Sequence, residues 1–534
     1  MARTRDDYRH ASPRRINRRH ALRRLSATLL AARTLPAWSA APDTDEGRPF
    51  NPQWLREHAE ALARHPYVAP TPPHPALLAR IDYDTYQAIR FDSRHALWPN
   101  DPARLPVEPF HLGRYARLPV ALYRVENGST RRIEYRPDLF DYSASGLDGP
   151  LPDDLGFAGF RVMNTGGAGD WLAFMGASYF RSAGVLDQYG LSARGIAIDT
   201  AMPGGEEFPR FSAFWLEQPG RDGAALSVHA LLEGPSLTGA YRIDCRRGDA
   251  VTTDVHATLF MRRAVARLGI APLTSMYWYS ETNHRVSGDW RPEIHDSDGL
   301  ALATGAGERI WRPLNAPPRV QSNAFLDRDP RGFGLLQRDR AFDHYQDDGV
   351  FYNRRPSVWV EPLGRWGDGA VHLVELPTDD EIHDNVVAFW SPAEQPQRAQ
   401  SLALDYRLHW AAEEPYPPSL ARAVATRAGR GGLPGQQAAR KPSQRKFVVD
   451  FTGGPLDSLE QRYDLTAAAS ASRGVIDNAH VLKVLGTPRW RASFDLDVSG
   501  EAPVDLRCHL RLGDRTLSET WLYQYLPGSL GLDA

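Results

Sequence analysis

Leu118-Pro119-Val120-Ala121-Leu122-Tyr123-Arg124-Val125 is a short apolar run, and Val358-Trp359-Val360-Glu361 is another. From about residue 50 onward the chain continues in this way, as short alternating or apolar runs bounded by Gly, Pro, Asn and Asp. Such spacing predicts an all-β protein of sandwich or barrel type. The 44 glycines and 42 prolines supply the turns that many short strands require. Helical periodicity is convincing in few places. The clearest is Asn51 to Ala63, with a capping Asn, Pro at the first helical position and Leu55, Ala59 and Leu62 on one face.

With 534 residues the chain is expected to hold more than one domain. Ser391-Pro392-Ala393-Glu394-Gln395-Pro396-Gln397 is polar and proline-rich and reads as a linker. It divides a large N-terminal β-sandwich, 42–393, from a smaller immunoglobulin-like sandwich, 394–534. Strand-like segments at 401–410, 446–451 and 490–498 are assigned to the smaller one, with a flexible basic loop at 427–445.

The first 41 residues carry ten arginines against two acids, Asp6 and Asp7. Arg14-Arg15 and Arg18-Arg19 precede a weakly apolar run at 25–32 and the small-residue stretch Ala37-Trp38-Ser39-Ala40-Ala41. The segment 1–41 reads as a twin-arginine-type signal peptide, which makes the expected location periplasmic. No other stretch approaches the ~18 to 20 apolar residues of a membrane span. Over the whole chain 63 basic residues meet 65 acidic ones, and without the arginine-rich start the remainder is net acidic. Nucleic acid and anionic lipid are poor partners for such a surface, and a neutral substrate suits it better. The two cysteines, Cys245 and Cys508, lie far apart and form no metal-ligand spacing.

There is no phosphate loop, no dinucleotide glycine fingerprint, no HExxH and no GxSxG elbow. What remains are acidic residues in polar segments beside aromatics: Trp290-Arg291-Pro292-Glu293-Ile294-His295-Asp296-Ser297-Asp298 and Glu375-Leu376-Pro377-Thr378-Asp379-Asp380-Glu381-Ile382-His383-Asp384-Asn385. Glycosidic bond cleavage uses a pair of carboxyl groups, one to protonate the leaving oxygen and one to activate the nucleophile. Flat aromatic faces can stack on pyranose rings. Trp278, Tyr279, Trp290 and Tyr345, together with Arg355, are the candidate substrate-binding residues, with core packing as the competing assignment for each aromatic. His295, Asp296 and Asp298 lack the further ligands that a metal site needs, and neither metal nor cofactor is expected.

Several further stretches carry a resemblance: Gly156-Phe157-Ala158-Gly159-Phe160-Arg161, Phe174-Met175-Gly176-Ala177-Ser178-Tyr179-Phe180-Arg181, Gly205-Glu206-Glu207-Phe208-Pro209, Gly332-Phe333-Gly334-Leu335-Leu336-Gln337, His344-Tyr345-Gln346-Asp347 and Arg355-Pro356-Ser357. In these the chain closely resembles the bacterial periplasmic glucan biosynthesis proteins G and D, and its paired arginines bring it nearer the D branch. The resemblance implies a galactose-mutarotase-like β-sandwich with an acidic cleft, followed by an immunoglobulin-like domain. It also implies action on the β-1,2-glucan backbone of osmoregulated periplasmic glucans. It maps the general acid to Asp384, the general base to Asp296 and a proton-relaying tyrosine to Tyr352. Asp384 is then expected to keep its proton near neutral pH, and Asp296 to be ionised. The run Asp379-Asp380-Glu381-Ile382-His383 departs from the family pattern beside the acid.

The resemblance allows three functions. The first is an anomer-inverting endo-β-1,2-glucanase. The second keeps the same acid and base but admits a glucan hydroxyl in place of water, which gives an inverting transglycosylase that cyclises linear β-1,2-glucan. The third is a non-catalytic glucan-binding or assembly factor for the membrane glucan synthase.

Overall fold

The run at 118–125 becomes the strand Ala121–Glu126, buried at Leu122, Tyr123 and Val125. The structure is a computed structural model of the chain and describes residues 49–99, 104–148, 151–164, 169–218, 226–432, 435 and 441–530. The expected signal segment 1–41 lies outside the described residues. Among the described residues the strands form one sheet of fifteen, one of ten, one of four and two small ribbons. The fold is all-β, as the spacing of apolar runs predicts.

The two large sheets face each other across an aromatic core. Phe174 stacks on Phe160 and Phe180 at 5.0 and 5.1 Å, all three on the ten-stranded sheet. Phe214 of the fifteen-stranded sheet meets Phe160 and Phe174 edge-on at 5.2 and 5.7 Å. Edge-on pairs add roughly 0.5–1.5 kcal/mol beyond area burial, so they favour one seating of sheet on sheet. The predicted helix forms at Pro52–Ala63; the Asn51 side chain accepts from the Gln53 amide, and Leu55, Ala59 and Leu62 are buried. That face packs against Tyr123, Trp215 and Phe260.

Toward the C-terminus the four-stranded sheet brings Phe447, Trp490 and Phe494 against Trp521, Tyr523 and Tyr525. The latter three belong to Thr520–Tyr525, which continues the fifteen-stranded sheet through its parallel partner Arg309–Pro313. Two assignments need correcting. The strand at 401–410 is not part of the smaller sandwich: Ser401–Ala411 pairs with Val251–Met261 and Ser357–Pro362, inside the large sheet. Alternation makes a strand but does not name its sheet. The basic segment at 427–445 is also shorter as a loop than expected. Arg422–Arg430 and Gln444–Thr452 form a hairpin whose last pair is Arg430 with Arg445. Cys245 and Cys508 are buried free thiols, in separate cores. No helix of the described residues is long and apolar enough to cross a membrane.

At one end of the ten-stranded sheet, Leu268–Ser275 runs antiparallel to Val386–Pro392, with Ser275 opposite Val386. The residues after Ser275 and before Val386 therefore leave the sheet side by side.

Candidate active site

Past Ser275 the chain forms a second short ribbon, Tyr277–Tyr279 against Ile294–His295, with Tyr277 opposite His295. The Asp296 amide donates to the Met276 carbonyl at 2.9 Å and so extends that pairing by one step. On the other side of the same strand lies Asn385. Its Oδ1 accepts from the Tyr277 amide at 2.8 Å, while its Nδ2 donates to the Tyr277 and Leu376 carbonyls at 2.9 and 3.1 Å. A side-chain amide thus copies a strand partner, satisfying groups that burial would otherwise leave unpaired. Asp296 and Asp384 consequently flank one strand extension from opposite sides.

A third element closes the arrangement. Tyr352–Arg354 is a single helical turn entered by Phe351 at φ 50°, a left-handed conformation that a bulky residue rarely adopts. Arg355 comes next in the chain. Its Nη1 stands 2.7 Å from Asp296 Oδ1, and its guanidinium carbon lies 4.4 Å from the Tyr352 ring centroid. Gly190 makes the approach possible, because a Cβ there would meet the Arg355 Cβ at 3.0 Å.

The acidic run before Asp384 is anchored rather than free. The Tyr352 hydroxyl donates to Glu381 Oε2. Arg291 donates to both Glu381 oxygens, at 3.0 and 3.2 Å, and to Asp347 at 2.7 Å and Asp289 at 3.1 Å. One guanidinium therefore joins the 280–293 hairpin, the 377–385 loop and the segment at 347. Such charge-assisted bonds are the stronger kind.

The two acids lie in one field. Burial pushes the Asp296 carboxyl up to about 6; Arg355 opposes that and Asp384 adds to it. Asp384 has its side chain at the solvent boundary. Desolvation by the surrounding chain still raises its pKa, against the pull of Arg181 and Arg355. Both carboxyls are thus shifted upward, where the resemblance implies an acid that keeps its proton and a base that is ionised. The larger burial is that of Asp296, 4% exposed, while Asp384 opens to water. At neutral pH a group with a pKa near 6 is still mostly ionised.

The other candidate residues separate into two groups. Trp290 is 74% exposed, next to Arg291, with its ring open to a ligand. Trp278 is half-buried and meets Tyr279 edge-on at 5.2 Å. Tyr279 and Tyr345 have no exposed face and join Met276, Ile294 and Tyr352 in a small apolar cluster. They are the floor of the site and not stacking surfaces, because aromatic content alone does not tell wall from floor. Tyr352 is also buried, with its proton directed to Glu381 instead of toward Asp384. His383 is exposed and engaged with Thr378. Arg291, Glu381 and Arg181 escape a reading of the sequence. An acid in a turn looks solvated until its partner is known, and the partner here comes from another hairpin.

Glu293, Asp339 and His344 bring polar atoms within 4.8 Å of one another. Each is already engaged, Glu293 with His295 and Asp339 with His344, so no metal is assigned to them. The chemistry at hand is that of two carboxyls of unequal exposure, two guanidinium groups and a phenol.

This geometry can be set beside known proteins. A family model described as "Periplasmic glucan biosynthesis protein, MdoG" matches residues 50–525. Glucans biosynthesis protein D 2 of Ralstonia nicotianae is 50% identical, over 96% of this chain and 98% of that protein. Glucans biosynthesis protein D of Stenotrophomonas maltophilia is 47% identical, over 97% and 99%, and that of Xanthomonas oryzae pv. oryzae 46%, over 96% and 98%. A match of this extent and identity leaves one conclusion: the chain belongs to the MdoG family of periplasmic glucan biosynthesis proteins.

Proposed function

We propose that the protein is a periplasmic, anomer-inverting endo-β-1,2-glucanase, with Asp384 as general acid, Asp296 as general base and Tyr352 as proton relay. The observation that carries the reading is the strand extension at Tyr277, which has Asp384 on one side and Asp296 on the other, each in the field of Arg355 and Asp296 also in that of Asp384. In an inverting reaction the acid protonates the departing glycosidic oxygen, while the base removes a proton from water attacking the opposite face. A glucan lying in the cleft would displace water from Asp384 and raise its pKa further, which favours the protonated form that an acid needs. Asp296, facing Arg355, remains charged at neutral pH and can accept a proton. Tyr352 lies in the field of Asp296 and under Arg355. Turned from Glu381 toward a water, its hydroxyl would pass that water's proton onward. Trp290 is the natural stacking surface for a sugar ring at the rim.

The test is incubation of purified protein with linear β-1,2-glucan, followed by mass spectrometry and by NMR of the newly formed reducing ends. Shorter linear chains with α-configured new ends are expected. Products lighter by one water than a linear chain would mark ring closure and transfer the reading to a cyclising transglycosylase. Binding without turnover would point to an assembly factor for the glucan synthase. An Asp384→Asn variant that cleaves within about tenfold of the parent would remove the acid assignment, since acid catalysis is worth roughly 10²–10⁴.

A further inference from the structure

His295 lies directly beneath the site, fully buried, and its hydrogen bonds leave little freedom in its protonation. Gln337 Nε2 faces three oxygens: the His295 carbonyl at 3.0 Å, the Tyr345 hydroxyl at 2.9 Å and the Tyr352 carbonyl at 3.1 Å. The Tyr345 proton is already spent on the Asp339 carbonyl at 3.1 Å, so its oxygen must accept. The amide of Gln337 can therefore face only one way. Its Oε1, an acceptor, points at His295 Nδ1 at 3.0 Å, and that nitrogen must carry a proton. The other ring nitrogen, Nε2, stands 3.0 Å from Glu293 Oε2, and Asp298 Oδ1 is 3.4 Å from Nδ1. Both nitrogens thus face acceptors. A neutral imidazole could satisfy only one of them, unless buried Glu293 took up a proton instead.

We propose that His295 is a positioning residue that acts as a buried imidazolium, held by Glu293 and Gln337, and keeps the adjoining Asp296 in its ionised form. This rests on the reading of Asp296 as general base. The same network fixes the Tyr352 backbone through Gln337, so the cation and the proposed relay share one support. The groups that face His295 are Glu293 and Asp298 from its own segment, and the rings of Tyr277, stacked at 5.6 Å, and Tyr345, edge-on at 5.2 Å. Behind them Glu281 and Asp339 act on the carboxylates, and Arg340 acts on Asp298. Carboxylates predominate around the ring. Burial pulls the His295 pKa down, but Glu293 and Asp298 outweigh it and lift it to about 9. His295 in turn acts to lower that of Asp296.

The experiment uses the free, full-length protein without glucan, so its outcome does not depend on turnover. Ring ¹⁵N spectra of labelled histidine, with His295 identified by its loss in His295→Gln, should show both nitrogens protonated at pH 7. Carboxyl ¹³C titration of Asp296, assigned by Asp296→Asn, should move to higher pH in His295→Gln, because an opposing charge has been removed. Glu293→Gln keeps the shape of the pocket and serves if His295→Gln folds poorly; there the imidazolium should lose its proton within the neutral range. A neutral ring at pH 7 in the parent protein overturns the proposal, and so does an unmoved Asp296 titration in both variants. A protein inert toward glucan but with the expected spectra would sink the glucanase reading and leave the charged histidine standing.

Discussion

Replacing Asp296 by Asn should make the protein more stable while abolishing its activity, and the gain should depend on pH in a defined way. Asn has the size of the acid and cannot ionise. The Asp296 carboxyl rises from 3.8 to about 6, mainly through burial. At 1.36 kcal/mol per unit, a rise of about two units costs the folded chain roughly 3 kcal/mol once the group is charged. The Arg355 contact is already inside that balance, because Asn and the protonated acid both offer the guanidinium a neutral oxygen. Below about pH 4 the folded and unfolded chains both hold the proton, and parent and variant should be equally stable. Between about 4 and 6 the unfolded chain releases its proton while the folded chain keeps it, so the parent loses ground as pH rises. Above about 6 the difference should be complete. At about 2.1 cal/mol/K per residue, 3 kcal/mol in a unit of nearly five hundred residues is a Tm difference of about 3 °C. Thermal melts of both proteins at pH 4 and pH 8 give the comparison. A variant no more stable than the parent at pH 8, or a gap that persists unchanged at pH 4, would refute the argument that burial strains this carboxylate.

Asn385→Ala should cost about 3 kcal/mol, because it strips partners from the Tyr277 amide and carbonyl and from the Leu376 carbonyl at a site only 1% exposed; urea melts measure the loss, and glucan cleavage should fall with it as Asp384 loses its footing. Arg291→Ala leaves Asp289, Asp347 and Glu381 facing one another without their shared cation. It should destabilise by about 2–3 kcal/mol and open the 377–385 loop to limited proteolysis, whereas an unchanged digestion pattern would show that the loop is held by other contacts. Trp290→Ala should leave Tm unchanged, since the ring is 74% exposed, yet raise KM for long glucans by about tenfold if one stacked sugar is worth about 1–1.5 kcal/mol; equal KM values would remove Trp290 from the substrate path.

What can be read from the residues alone depends on the range of the forces involved. The run at 118–125 and the helix after Asn51 are written locally, in apolar spacing and in a cap; the helix forms where expected, and the strand starts three residues into the run, as Ala121–Glu126. The strand at 401–410 also forms, but in a different sheet from the one expected, because the choice of partner depends on Val251–Met261 and Ser357–Pro362, far away along the chain. The same limit governs the site. Asp296 and Asp384 stand out as acids in polar segments, and the family resemblance gives them roles, yet their placement on either side of one strand depends on two registers, Ser275 with Val386 and Tyr277 with His295. Glu381 and Arg291 have no local signal, since neither is unusual in composition until a hairpin and a loop close on each other. Tyr279 and Tyr345 mislead for the complementary reason: a ring in an aromatic-rich segment is equally suited to a core or a sugar, and burial decides. The division also explains the electrostatics. A carboxylate's charge state is set by whatever the distant segments bring beside it, so the raised pKa of Asp296 is a property of the closed sheet end and of no stretch of sequence by itself.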